Sequence, residues 1–345
     1  MALQASGQIK YSEIIAEFGT PNSGGLGEFR VSENVGTLTN LPLDTGVPQG
    51  NSQIKFSDFY SKRLNQVVDL YSIGNGSTRQ NAKNRWNNNN VHIVGSSKTG
   101  KTKPPNTVND RVIVNVNATI SSVKGTQTHC ALRTGNWDSG TILEIEIGTS
   151  GKLYGSGGDG GSGGSANETA GTNGQTGSSA LGVEYPCSIN NLGVIQSGYG
   201  GGGGGGGNTR TTGGGKKSGA RTNGSSGGGG GGGAGSPAGA GGGVQTPLAV
   251  GGGSAGSAGA AGSLSNLVSG AGTGGLGGTE AGNGGNASAV NNSATKADNG
   301  ASPSGAAAGG TGGNNGYAII TNQVSAPSLS GNSVTGRTVT STNPT

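Results

Sequence analysis

The stretch VGSSKTGKTK, residues 94–103, holds Gly95, four intervening residues, Gly100, Lys101 and Thr102. That spacing suits a phosphate-binding loop, in which backbone amides cradle a nucleotide, the Lys reaches its outer phosphates and the Thr hydroxyl meets magnesium. Such a loop needs a strand before it and a helix starting at the Lys-Thr pair. VHIV (residues 91–94) qualifies as the strand, but Lys103, Pro104 and Pro105 follow Thr102 directly. Paired prolines there are incompatible with a long helix. The VVDL segment around Asp69 is too short to supply a magnesium-holding strand. The signature is a product of composition, and nucleotide hydrolysis is not expected.

Other reactive groupings are weaker still. GGDGG at residues 157–161 resembles a calcium-binding roll, which needs an Asp in every repeat, and Asp159 stands alone. His129 beside Cys130 could begin a metal site, yet no second Cys/His pair at ligand spacing accompanies it, and His92 is distant in sequence. No nucleophile–base constellation is visible. The expectation is a protein without catalytic residues, bound metal or cofactor. Cys130 and Cys187 could form a disulfide or stand as two buried thiols.

Binding chemistry is better represented. Arg210, Lys216, Lys217 and Arg221 place four cations within twelve residues, between two uninterrupted glycine runs. Such a loop could contact an anionic surface such as a phosphorylated glycan, or serve as a charged, solvated connection. Tyr199, at the entrance to the first run, reads as a contact aromatic or an end plug.

The elements that must position these residues are unusual. Of 345 residues 79 are Gly, 29% are hydrophobic and 4% aromatic, too few to fill a conventional core. Collagen is excluded, because glycine is not at every third position throughout and only 11 prolines are present. The net charge of +5 is mild and dispersed, so nucleic-acid binding is not indicated. No segment approaches the roughly 18 apolar residues of a membrane span, and the N-terminus lacks a signal-peptide pattern. Synthesis in a cytosol without ordinary secretory export is therefore expected.

The sequence divides into four expected segments: 1–65, 66–153, 154–316 and 317–345. In the first, IKYSEI recurs as IKFSDF. Ser12 and Ser57 suit helix N-caps, Glu13 and Asp58 suit a first turn, and the first helix should stop at Gly19. Two short helices make a poor independent fold. They read as a docking element completed by a partner, or as a local cap on the next domain. In the second segment, RVIVNVNATI and TILEIEIG alternate as strands do, with QVVDLYSI and VHIV as shorter candidates.

The third segment keeps a period of three. Gly171, Gly174 and Gly177 are so spaced, as are Gly253, Gly256, Gly259 and Gly262, and Gly310, Gly313 and Gly316. A left-handed extended helix has three residues per turn and no internal hydrogen bonds. A glycine face lets such helices approach until their backbone groups pair with neighbours. Backbone bonding would then replace a side-chain core. Disorder is the competing outcome, because Gly loses the most backbone entropy on folding. The expected fold class is mainly β and irregular: a short N-terminal helical docking segment, a small β-domain, then a packed polyglycine II helix bundle or sandwich. Residues 317–345 read as a closing strand and polar tail. Between glycine runs, residues 208–226, 244–250, 263–269 and 286–304 change character and would be end loops, where binding usually resides.

The N-terminal QASGQIKYSEIIAEFG and IKFSDFY, followed in order by VIVNVNATI, ALRTGNWDSGTILEIEI, GSGGDGGSGG, EYPCSINNLGVIQSGYGGGGGGGG and GGNNGYAII, resemble bacteriophage tail proteins with a glycine-rich receptor-binding domain. These include adhesins at long-tail-fibre tips of T-even-like phages. The resemblance implies polyglycine helices in layers, with connecting loops that recognise outer-membrane proteins or surface glycans. Carried over by position, receptor-facing candidates are Tyr199, Arg210, Lys216, Lys217, Arg221, Gln245, Leu248, Asn266 and Leu267. It also implies a virion tail location, synthesis in host cytoplasm, attachment to other tail or fibre proteins through the N-terminal segment, and a homotrimer or several copies per virion. The alternative is a non-adhesive tail or baseplate protein that caps or spaces other subunits. An ice-binding reading is disfavoured because Thr is too irregularly spaced.

Overall fold

The computed structural model describes residues 3–19, 24–30, 32–42, 47–48, 52–63, 65–88, 91–94, 111–166, 169–212, 221–245, 255–263, 272–278, 281–287, 298–302, 306–322, 324–340 and 344. It is mainly β. The chain opens with α1 (Tyr11–Phe18), a 3-10 turn at Leu26–Phe29, the hairpin β1 (Ser32–Val35) and β2 (Leu38–Pro42), and a second 3-10 turn at Phe56–Phe59.

The two related motifs start in the same way. Lys10 and Lys55, rather than Ser12 and Ser57, are the N-cap residues. Glu13 and Asp58 accept hydrogen bonds from their amides at 2.8 and 2.7 Å. A carboxylate three residues on satisfies the cap amide, which fixes each start two residues earlier than the serines suggest. Gly19, with φ of 89°, ends α1 as expected. Phe18, Phe29 and Phe59 then meet ring to ring at 5.6–5.9 Å. All three belong to the same buried cluster as Val68, Val114 and Ile145 of the sheets. The segment therefore completes its core within the chain, as a cap, and its buried aromatics are not left for a partner.

The sheets form by repeated winding. β3 (Asn65–Leu70), β4 (Ser77–Thr78) and β5 (Gln80–Asn81) make the first turn, followed by α2 (Ala82–Asn87) and β6 (Val91–Val94). β7 (Arg111–Val116), β8 (Thr119–Ser121) and β9 (Cys130–Arg133) make the next. β10 (Ile142–Ile147), β11 (Lys152–Tyr154) and β12 (Ser179–Val183) follow, then β13 (Cys187–Asn191) and β14 (Val194–Gln196). After a separate hairpin, β15 (Asn208–Thr212) and β16 (Arg221–Ser225), come β17 (Tyr317–Thr321), β18 (Ser328–Gly331) and β19 (Arg337–Thr340).

Successive strands pair in three sheets, ordered β18-β13-β10-β7-β3-β6, β14-β11-β8-β4 and β19-β17-β12-β9-β5. Every pairing in them is parallel except β3 with β6. Parallel strands need crossover connections, and here the other two sheets supply the crossover. Strand alternation sends one column inward, in register: Val68, Val114, Ile145, Ile189 and Leu329. The first four are at most 1% exposed.

The glycine segment is inserted into this coil instead of following it. The chain leaves the sheets after β11, returns at β12, leaves again after β14 and returns at β17. The sequence division at residues 154 and 317 thus differs from the structure. Residues 179–196 lie in the sheets; β17 is the expected closing strand, and β18 and β19 continue the coil where a polar tail was expected.

Among the described residues the insertion contains ten extended runs: 155–165, 169–178, 197–207, 226–234, 238–243, 255–263, 272–277, 282–287, 298–302 and 307–316. In run 197–207, amides of Gly201, Gly204 and Gly207 donate to Gln175, Thr172 and Thr169. Those of Gly202 and Gly205 donate to Gly231 and Gly228, and those of Gly203 and Gly206 to Asp298 and Ala301, all at 2.8–3.2 Å. Runs 155–165, 282–287 and 307–316 donate back to it. It therefore has neighbours on every side. Run 226–234 is surrounded likewise by 155–165, 197–207, 238–243, 255–263, 272–277 and 282–287.

Glycine content follows burial. A Cβ at any of Gly200–Gly207 would run into a neighbouring backbone carbonyl, and none of these residues has a left-handed φ. Space, not backbone freedom, demands glycine there. Run 155–165 has two crowded faces and two glycines in three. Its third face carries Asp159, whose Oδ1 accepts from the Ala240 amide at 2.6 Å and from Lys124 Nζ. Run 255–263 has one crowded face, at Gly256, Gly259 and Gly262.

Candidate binding surface at the far end of the glycine runs

Hydrogen bonds between runs establish which ends lie together. Gly158 donates to Tyr199, Gly233 to Gly158, Gly239 to Gly233, Gly262 to Gly239 and Gly272 to Gly232. These residues mark the end next to the sheets, because Gly155 still donates to Gln196 of β14. At the opposite end Gly164 donates to Gly205, Gly227 to Gly164, Gly163 to Gly243, Gly207 to Thr169, Gly278 to Ser226 and Ala307 to Gly207.

The sequence candidates separate accordingly. β15 and β16 emerge at the far end, with Arg210 paired to Asn223 and Thr212 to Arg221. The two arginine positions are thus diagonal neighbours on one ribbon. Asn208 also bridges to Ala306, tying the hairpin base to another run. Val244, 40% exposed, and the exposed Gln245 leave the same end. Lys216, Lys217 and Leu248 lie outside the described residues, as does the segment holding Gly95 to Thr102.

Asn266 and Leu267 also lie outside the described residues, but Gly262 and Gly272 on either side sit at the near end. Tyr199 is a correction: it is 2% exposed, packs on Ala234 and occupies the handover from sheet to glycine run. It is an end plug, unable to touch a receptor from that position.

For the cysteines the structure selects the second of the two readings. Cys130 and Cys187 are free thiols in different sheets. Burial pushes each thiol up to about 12. Cys130 Sγ donates to Thr128 O at 3.4 Å, an arrangement for packing rather than reactivity.

One polar surface was not anticipated from sequence. On the outer face of the sheet containing β10, β13 and β18, Glu146, Asn190 and Ser330 stand in register. Asn190 Nδ2 donates to Glu146 Oε2 at 2.8 Å. Beside them, Arg111 makes a two-pronged contact with Glu144, at 3.1 and 2.8 Å. The alternation in TILEIEIG and CSINN signals that each segment has a polar face; their juxtaposition depends on the parallel register.

No protein-family model matches the chain, and no curated protein matches it. Among solved structures, it is similar to the crystal structure of the gp37-gp38 adhesin tip complex of the bacteriophage S16 long tail fiber. The TM-score is 0.34 and the identity 18%, over 97% of this chain and 100% of that chain. Likeness at that level carries nothing about what this chain does. Among the described residues, no helix is long and apolar enough to cross a membrane.

Proposed function

We propose that the chain is a phage virion component, a tail-fibre or tail-tip adhesin that recognises a host surface protein or glycan. The observation that carries this reading is the common direction of the loops. The β15–β16 hairpin and the segment beginning at Val244 and Gln245 leave one end of a rigid bundle, remote from the sheets. Loops on a rigid scaffold are suited to recognition because they can vary without disturbing what supports them. The sequence resemblance to phage tail-fibre tip proteins agrees with that arrangement.

In this reading the runs are left-handed polyglycine II helices, and the periodic bonding to neighbours supports it. Its work is binding, with no catalytic step. The cationic segment 210–221 supplies the anion-facing chemistry, and several copies per virion make weak contacts sufficient. The capped end, where the 41% exposed Phe56 meets Tyr11 edge to ring at 6.5 Å, offers a surface toward other tail proteins.

The test is saturable binding of labelled full-length protein to intact host cells. Exchange of residues 209–224 for another polar hairpin, leaving the anchored Asn208, Ser225 and Ser226 in place, should abolish binding while preserving the thermal unfolding profile. Unaltered binding would remove the hairpin from recognition. No binding by folded, multimerised protein, with failed particle assembly on exchange, would establish a spacer or cap instead.

A further inference from the structure

The outer face of the sheet built on β3, β7, β10, β13 and β18 is divided in two. Over its first turns lies the β1–β2 hairpin, whose Val35 and Leu38 cluster with Val67, Ile113 and, just after β3, Tyr71. Asn115 Nδ2 donates to Val35 O at 3.1 Å, which fastens the hairpin there. Past the hairpin the same face is a groove of about 380 Å³, lined by Glu146, Ser188, Asn190, Ser328, Ser330 and the edges of Ile189 and Leu329.

The strand lattice makes this groove regular. Adjacent strands lie about 4.8 Å apart, and residues two apart on one strand about 6.6 Å apart. Glu146, Asn190 and Ser330 occupy one row; Ser188 and Ser328 belong to the next. Asn190 orients the carboxylate through its 2.8 Å bond to Oε2, and Ser330 Oγ donates to Ile189 O at 3.3 Å. Burial raises the Glu146 carboxyl above its ordinary range, and the Asn190 hydrogen bond opposes that shift.

The chemistry selects a ligand class. Among the described residues none lining the groove is cationic, so an anion would meet only Glu146. One carboxylate without further charged ligands is a poor cage for a hard cation. A polyhydroxylated neutral molecule fits, because its hydroxyls both donate and accept. We infer that the groove is a binding site for a neutral saccharide, with Glu146 and Asn190 holding a pair of hydroxyls and Ser188 and Ser330 completing the polar contacts. This site is on the coil, distinct from the far-end loops, and does not depend on their receptor role.

The experiment titrates full-length protein with methyl α-glucoside, methyl β-galactoside and N-acetylglucosamine, using saturation-transfer NMR and calorimetry. At least one should bind with a dissociation constant near the millimolar range, about 4 kcal/mol of binding free energy. Glu146→Gln should weaken it about tenfold. Ser330→Arg, at an exposed position and so compatible with folding, should block the groove and abolish binding. Cell attachment measured on the same Ser330→Arg protein should be unchanged, which separates this site from the hairpin. No binding by folded protein at about 50 mM of any of the three, or undiminished binding by Ser330→Arg, would overturn the inference.

Discussion

Gly202 donates its amide to the carbonyl of Gly231 at 2.8 Å, joining the centres of the two uninterrupted glycine runs. Each of those runs is enclosed by others, so neither has a face on which a side chain can stand. A methyl group on Gly202 would run into the carbonyl of Gly285. Backbone cannot yield as a flexible side chain does, and overpacking of this kind is expected to cost about 3 kcal/mol. Gly202→Ala should lower the unfolding midpoint sharply, while Ala258→Ser, at an exposed position of an outer run, should change stability by less than about 0.5 kcal/mol. Equal, small effects in calorimetry would show that the runs are not packed as described.

Phe59 is fully buried against Phe18 and Phe29. These rings join the core of the sheets, so the N-terminal segment should stabilise the coil in the absence of any partner. Phe59→Ala should cost about 3–5 kcal/mol by combined loss of burial and cavity formation. The effect should be seen in the isolated protein by denaturant unfolding. An undiminished midpoint in isolation would restore the docking reading for this segment.

The thiols make a chemical prediction. Burial raises both Cys130 and Cys187 from 9.0 to about 12, so each stays protonated when folded at pH 8. An acid whose folded pKa is raised contributes stability that is present below its unfolded value. The contribution is lost as pH rises from about 9 through about 12. A thiol reagent at pH 8 should react slowly with native protein and rapidly with two thiols in guanidinium. Unchanged titre after omission of reductant would agree with free cysteines; loss of both thiols together would indicate the disulfide.

Glycine spacing made much of the insertion legible. A pure run marks a surrounded centre, two glycines in three a run with two crowded faces, and one in three an outer run. The strands at 111–116 and 142–147 were equally visible from alternation. What local pattern could not reveal was that β12, β13 and β14, between glycine runs, return to the same coil as β7 and β10. Parallel register is a long-range relationship, and a short strand such as Val194–Gln196 carries too few residues to announce its neighbours. The same limit hid the row Glu146, Asn190, Ser330, whose members are separated by large stretches of chain. Ser12 and Ser57 misled because a carboxylate at Glu13 or Asp58 can cap the preceding lysine amide without help from a serine. Tyr199 misled because an aromatic next to polyglycine looks exposed until the handover from sheet to run is seen to bury it.

Glu146 couples stability to the inferred saccharide site. Burial raises its carboxyl above 4.5, against smaller opposing effects of the Asn190 hydrogen bond and Arg111, and with a further push from Glu144. Because the folded value is raised, the favourable contribution is fully present below about 4.5 and is lost as pH rises through the folded value. Glu146→Gln removes that loss while keeping the shape of the side chain. The variant should therefore be more stable than the parent at pH 7, with the difference vanishing near pH 4, in paired thermal unfolding curves. The same substitution should weaken saccharide binding at pH 7. Gain in one property with loss in the other is the behaviour of a residue kept at a structural cost for a ligand. If stability and binding both fell, Glu146 would be a framework carboxylate serving Asn190, and the groove would be part of the coil's surface alone.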